Sequence, residues 1–217
     1  MKRLILIGIL VVFAASFVTT ISNAEVMTGK TDGKMMYTKS AVDLRMNMRK
    51  LWEDHITWTR CYIVSALADL EDTGPVAERL LKNQDDIGNA IKQYYGDDAG
   101  NKLAALLRDH ILIAAGIVKA AKTNSKEDYD RGQKNWYANA DDISSFLSSA
   151  NPNWPKKVLQ DMLYKHLEYT TTEVASRLKK DWAADIDAYD KGHLHMLMFS
   201  DAVTDGIVKQ FRKKFSK

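Results

Sequence analysis

Apolar residues recur every three or four positions along nearly the whole chain after Ser40, which is the spacing of one face of an α-helix. In the first periodic segment, for example, apolar residues follow this rule from Leu44 to Leu70. No stretch alternates apolar and polar residues between turn signals, as a half-buried strand would. The pattern therefore predicts an all-α fold.

Turn-forming residues divide the periodic region into helices. The first helix is expected to end at Asp72-Thr73-Gly74-Pro75, where glycine can cap one helix and proline can begin the next. Asn83 to Asp86 is expected to break the following segment into two short helices. The other two prolines, Pro152 and Pro155, also fall between periodic segments. We therefore predict a single domain over residues 40–217, an up-and-down bundle of four long helices plus shorter helical pieces.

The first 24 residues follow a different pattern. Two basic residues precede an uncharged apolar run from Leu4 to Val18, and Ser22 and Ala24 place small side chains where signal peptidase cleaves. The run is short for a membrane span, which needs about 20 residues. We therefore expect residues 1–24 to be a secretory signal peptide cleaved after Ala24, with an uncleaved membrane anchor as the alternative. Residues 25–39 are polar and aperiodic, and are expected to be a flexible lead-in.

Export would place the mature protein in the periplasm or outside the cell, tethered to the membrane only if the leader stays attached. The whole chain has a formal net charge of +3, and loss of the leader removes two basic residues and leaves +1. A charge this small argues against a nucleic-acid partner, which needs a clustered positive field. The lone Cys61 excludes an internal disulfide framework and a cysteine-based zinc site. No other segment is predicted to span a membrane.

Three histidines occupy positions where the helical pattern requires apolar side chains. His55, His110 and His166 each lie on the apolar face of a different predicted helix, and Glu173 follows His166 on the same face. A charge buried without a partner costs several kcal/mol, or the group becomes neutral. If these side chains face the core, they must therefore contact one another, a ligand or water.

Imidazole and carboxylate groups are ligands of Zn, Fe, Mn and Cu, and helical bundles build metal sites from inward-facing side chains. The sequence thus predicts a site for a divalent metal ion or a small ligand. Its expected ligands are His55, His110, His166 and Glu173, with Asp190, Asp201 and His193 as secondary candidates. The alternative is a structural network, for example Glu173 with Arg60 or Arg177, in an envelope-associated protein that has a structural or interaction role.

Catalysis is the less favoured interpretation. The chain has no zinc-protease motif, no haem-attachment motif, no glycine-rich phosphate loop and no nucleophile elbow. An enzyme could still use the same histidines if a metal ion kept an open coordination position. That hypothesis predicts a pocket that reaches solvent beside the histidines.

An extended set of aromatic, histidine and acidic positions runs through most of the chain after Leu51: Trp52, His55, Trp58, Arg60, Tyr95, His110, Trp136, Asn139, Asn151, Trp154, His166, Thr170, Glu173, Arg177, Asp185, Asp190, Asp201, Gly206 and Phe211. This pattern resembles a family of small exported bacterial helical proteins without an established activity, some of which are mislabelled acetylglutamate kinase. The resemblance implies the same fold and export, and it includes the four primary site residues. An amino-acid kinase would instead need an α/β sandwich with phosphate-binding loops.

Overall fold

Six long α-helices make up most of residues 38–216, the part of the chain that the computed structural model describes. They are α1 (Lys39–Leu67), α2 (Thr73–Tyr95), α3 (Asp97–Lys122), α4 (Lys126–Ala150), α5 (Lys156–Leu178) and α6 (Trp182–Gln210), followed by a short 3₁₀ helix, Arg212–Phe215. This range contains no strand, and the predicted all-α helical bundle is confirmed. The predicted signal peptide and residues 25–37 of the predicted lead-in lie outside the described residues, and α1 begins at Lys39, within that lead-in.

Helix α2 differs from its prediction because it continues through Asn83 to Asp86 without a break. Both amides in this stretch are fully buried and bonded. The Asn83 side chain donates to the Leu51 carbonyl at 3.0 Å, and Gln84 donates to the Leu80 carbonyl at 2.8 Å. The Asn83 amide is therefore bound to α1 instead of competing with the α2 backbone. The bundle consequently has six long helices where four with shorter pieces were predicted.

Helices that follow one another in sequence pack side by side, and α6 returns to pack against α1. Short connections enforce this antiparallel order. The tightest is Gly96, which joins α2 to α3 with φ at +84°, a conformation that suits glycine. None of the helices within residues 38–216 combines the length and the apolarity needed to cross a membrane.

Trp154 closes one end of the bundle. This side chain lies in the connection between α4 and α5, is buried, and donates its indole N–H to the Val203 carbonyl of α6 at 3.1 Å. The ring packs so closely over Gly206 that a Cβ atom added there would collide with the indole. Gly206 is therefore the contact surface that allows this tryptophan to lie against α6.

We expect Gly206→Ala to lower the free energy of unfolding by about 1–3 kcal/mol, because the added methyl group forces the buried Trp154 ring to move. Urea denaturation monitored by circular dichroism measures this change. Gly116→Ala is the matched control, because Gly116 lies inside α3 with nothing within 4 Å of its added Cβ. It should raise stability by about 0.5–1 kcal/mol. Equal effects of the two substitutions would contradict the close packing.

Candidate site beneath an apolar cavity

Three imidazole rings from three helices meet inside the bundle. His55 of α1, His110 of α3 and His166 of α5 are each only 2–3% exposed. The centre of the His166 ring lies 5.6 Å from that of His55 and 6.1 Å from that of His110. The apolar stripes of the three helices carry these rings into one layer, which we call the imidazole layer.

Amide side chains from the two intervening helices orient two of these rings. His55 donates from Nδ1 to Gln84 Oε1 of α2 at 3.3 Å, and His110 donates from Nδ1 to Asn139 Oδ1 of α4 at 2.7 Å. Each amide nitrogen donates in turn to a helix carbonyl, and this assigns the amide oxygen to the imidazole. The Nδ1 atom of His166 is buried without a hydrogen-bond partner among residues 38–216.

Burial keeps all three imidazoles neutral. It lowers the pKa of His55 to about 3 and the pKa of His110 to about 4. The pKa of His166 falls well below its ordinary value, because burial and the neighbouring His55 and His110 all oppose a positive charge there. The layer is therefore a polar but uncharged section of the core near neutral pH.

Glu173 does not join the imidazole layer as the metal-site prediction expected, and it forms the ion pair with Arg60 that the structural alternative named. It lies seven residues after His166, about 10 Å along the helix, and accepts a hydrogen bond from Arg60 at 2.9 Å. Arg60 also binds Asp185, whose second partner is Arg177 at 2.8 Å. Burial raises the pKa of Glu173. This buried carboxylate is thus part of an ion-pair cluster that joins α1, α5 and α6.

The secondary candidates are also separate from the imidazoles. Asp190 is exposed on α6, and Asp201 binds Arg45 of α1 at 2.8 Å. The Nε2 atom of His193 lies 3.4 Å from the Glu53 carboxylate. Within the described part of the chain, no group of three or more histidine, cysteine, aspartate or glutamate side chains could hold a metal ion. The predicted set of seven ligands is therefore divided among five places.

A cavity of about 330 Å³ begins one helical turn from the imidazole layer. Its floor includes Thr59 and Thr170, which follow His55 and His166 by four residues and donate to their carbonyl oxygens at 2.7 and 3.1 Å. Trp136 also lines the floor, and its ring centre lies 5.2 Å from that of His110. The cavity and the imidazole layer thus share a wall, although none of the three rings lines the cavity.

The walls of the cavity are mainly apolar and come from α1, α3, α4 and α5, with Leu80 of α2. Five alanines leave the space that larger side chains would fill: Ala114, Ala115, Ala120, Ala121 and Ala175. The outer end lies at the turn between α3 and α4, where Asn124, Ser125 and Lys126 contribute polar groups. Because Lys126 and the lining residue Leu178 are exposed, this end reaches solvent.

Sequence reasoning did not assign Gln84 or Asn139 a role in the site. Gln84 lies one turn from the buried Leu80, and Asn139 lies three residues after the buried Trp136, so both occupy core-facing positions. The available signal was an amide side chain on an apolar helix face, just as a histidine on such a face predicted each member of the imidazole layer. The cavity had no comparable signal, because alanines on a helix face also allow two helices to pack closely.

Comparison with protein-family models, with curated proteins and with solved structures finds no match for this chain. The function is therefore inferred from the geometry of the site itself.

We expect acid to destabilise the fold before the carboxylates titrate. The pKa values of His55 and His110 in the folded state lie below the ordinary value of about 6.5. Their contribution to stability is therefore complete above about pH 6.5 and decreases as the pH falls towards 4 and then 3. Urea denaturation should show a loss of about 2 kcal/mol per buried histidine between pH 7 and pH 5.

A double variant, His55→Gln with His110→Gln, is the control for this pH dependence. Glutamine keeps a polar side chain at each position but has no group that titrates. The variant should lose markedly less stability than the original chain over the same pH range. An unchanged slope would mean that other groups cause the acid sensitivity.

Proposed function

We propose that this chain is a non-catalytic binding protein that holds a small, largely apolar molecule in the cavity between α1, α3, α4 and α5. The cavity itself carries the proposal. Its volume of about 330 Å³ falls in the range of small-molecule sites, and its mixture of apolar walls with a few polar groups is typical of them. The imidazole layer would support the floor of the cavity from behind as a rigid, neutral section of the core.

The cavity lacks the imidazole, carboxylate and thiol groups that most often act as catalytic acids and bases, and this favours binding over catalysis; its titratable side chains among the described residues are Tyr62, Lys126 and Tyr129. Among the described residues, no histidine, cysteine, aspartate or glutamate lines the cavity. The nearest imidazoles lie behind the floor and are almost completely buried. A pocket that reaches solvent does lie beside the histidines, as the enzyme hypothesis predicted, but general acid–base chemistry requires contact with the bound molecule.

We further propose that the bundle acts outside the cytoplasm. The basic pair and the apolar run in the first 24 residues support export. The alternative role, an envelope-associated structural or interaction protein, would use the imidazole layer only to fix the register of the helices. That alternative does not require an occupied cavity, so ligand binding separates the two proposals.

We expect Ala175→Phe to weaken ligand binding at least about tenfold, because the larger ring fills part of the cavity. The fluorescent dye diphenylhexatriene, a narrow rod-shaped apolar molecule, serves as the probe and is titrated into the folded protein. Ala183→Phe is the matched control, because Ala183 is exposed on α6 and does not line the cavity. Circular dichroism verifies that both variants are folded. Equal dye affinities, or no dye binding to the original chain, would contradict the proposal.

A metal ion bound by His55, His110 and His166 is the less supported occupant, and it has its own test. We expect Zn, Cu, Fe or Mn ions added to chelator-treated protein to leave the melting temperature unchanged within about 1 °C. Elemental analysis of untagged protein should find no stoichiometric metal. If a stoichiometric metal were found and then lost in a folded His110→Ala variant, the imidazole layer would be a metal centre instead.

A further inference from the structure

The cavity is long relative to its volume. Its lining residues on α3 extend from Ile111 to Ala121, which corresponds to about 15 Å of helix. On α4, which runs in the opposite direction, they extend from Lys126 to Trp136, again about 15 Å. A volume of about 330 Å³ spread evenly over this length has a mean cross-section of about 22 Å², which suits one extended alkyl chain. A compact ring system of the same volume would not match this shape.

The two ends of the channel differ in polarity. At the inner end, the Thr59 and Thr170 hydroxyls already donate to helix carbonyls, so they do not require a polar group on a ligand. The Nε1 atom of Trp136 is sealed from the cavity, so the accessible part of its ring is carbon. At the outer end, Ser125 and the exposed Lys126 offer hydrogen-bonding groups beside solvent.

We propose that the ligand is a single-chain amphiphile, with an alkyl chain of about ten to twelve carbons. The chain would lie along α3 with its methyl end above the imidazole layer, and the polar head group would lie at the turn between α3 and α4. This inference rests on the proposed function and narrows the class of ligand. Free fatty acids and lysolipids share this chemistry, because each has one chain and one polar end.

A series of straight-chain alkanoates from hexanoate to hexadecanoate tests the proposal by displacement of the dye. Each added methylene should raise affinity about fourfold while it enters the channel. The increase should stop at about twelve carbons, where the channel is full. An increase that continues to sixteen carbons would indicate non-specific partitioning, and tighter binding of a compact bicyclic hydrocarbon would contradict a channel of this shape.

Ala115→Phe tests whether the length of the channel determines which alkyl chain length binds most tightly. Ala115 lines the cavity near the middle of its length along α3, so the added ring should shorten the optimal chain by several carbons. Ala105→Phe is the control on the same helix, since Ala105 is exposed and lies outside the cavity. It should leave the optimum unchanged. An optimum that stays at twelve carbons in Ala115→Phe would overturn the proposed position of the chain.

Two further comparisons identify the source of the ligand and distinguish failure of the single-chain proposal from failure of the proposed binding function. Lysophosphatidylcholine with a twelve-carbon chain is compared with dodecanoate, and the tighter ligand identifies whether the natural source is a lysolipid or a free acid. If the dye binds but neither amphiphile displaces it, the single-chain assignment fails while the proposed binding function stands. If nothing binds, both proposals fail.

Discussion

The bundle depends on the burial of three neutral imidazoles, two of which donate hydrogen bonds to buried amides. Each amide lies on a helix different from that of its histidine, so every bond fixes one helix against another. His55 with Gln84 joins α1 to α2, and His110 with Asn139 joins α3 to α4. Removing either partner would leave a buried polar group unsatisfied, at a cost of about 1–3 kcal/mol. The helices therefore have little freedom to slide at this level of the structure.

The fixed position of the imidazole layer also explains why the cavity begins one helical turn away from it. Threonines one turn beyond His55 and His166 return their hydroxyls to the helix carbonyls, and the Trp136 ring covers His110. The two threonine hydroxyls thus need no hydrogen bond from a ligand, and the floor separates an apolar space from the polar layer. Above it, small side chains on α3 and α5 leave room that the neighbouring helices do not fill.

Local patterns predicted much of the fold and part of the site. Helical spacing and the position of the prolines were enough for the all-α bundle, and apolar stripes were enough to place His55, His110 and His166 inside it. The sequence could not tell that Asn83 binds the Leu51 carbonyl, a tertiary contact that allows α2 to continue through a predicted break. Glu173 was assigned first to the metal site, with its pairing to Arg60 only as the alternative, because helical spacing alone cannot decide which partner on another helix a buried carboxylate meets. Export and the family resemblance stay predictions.

The antiparallel contact between the first and last helices has a consequence for handling this protein. Arg45 near the start of α1 binds Asp205 near the end of α6, while the cavity opens beside the far ends of α1, α3 and α5. The two points at which the chain enters and leaves the helical unit are therefore neighbours, at the pole opposite the opening. Immobilisation on a sensor surface or fusion to a reporter through either point would leave access to the opening unobstructed.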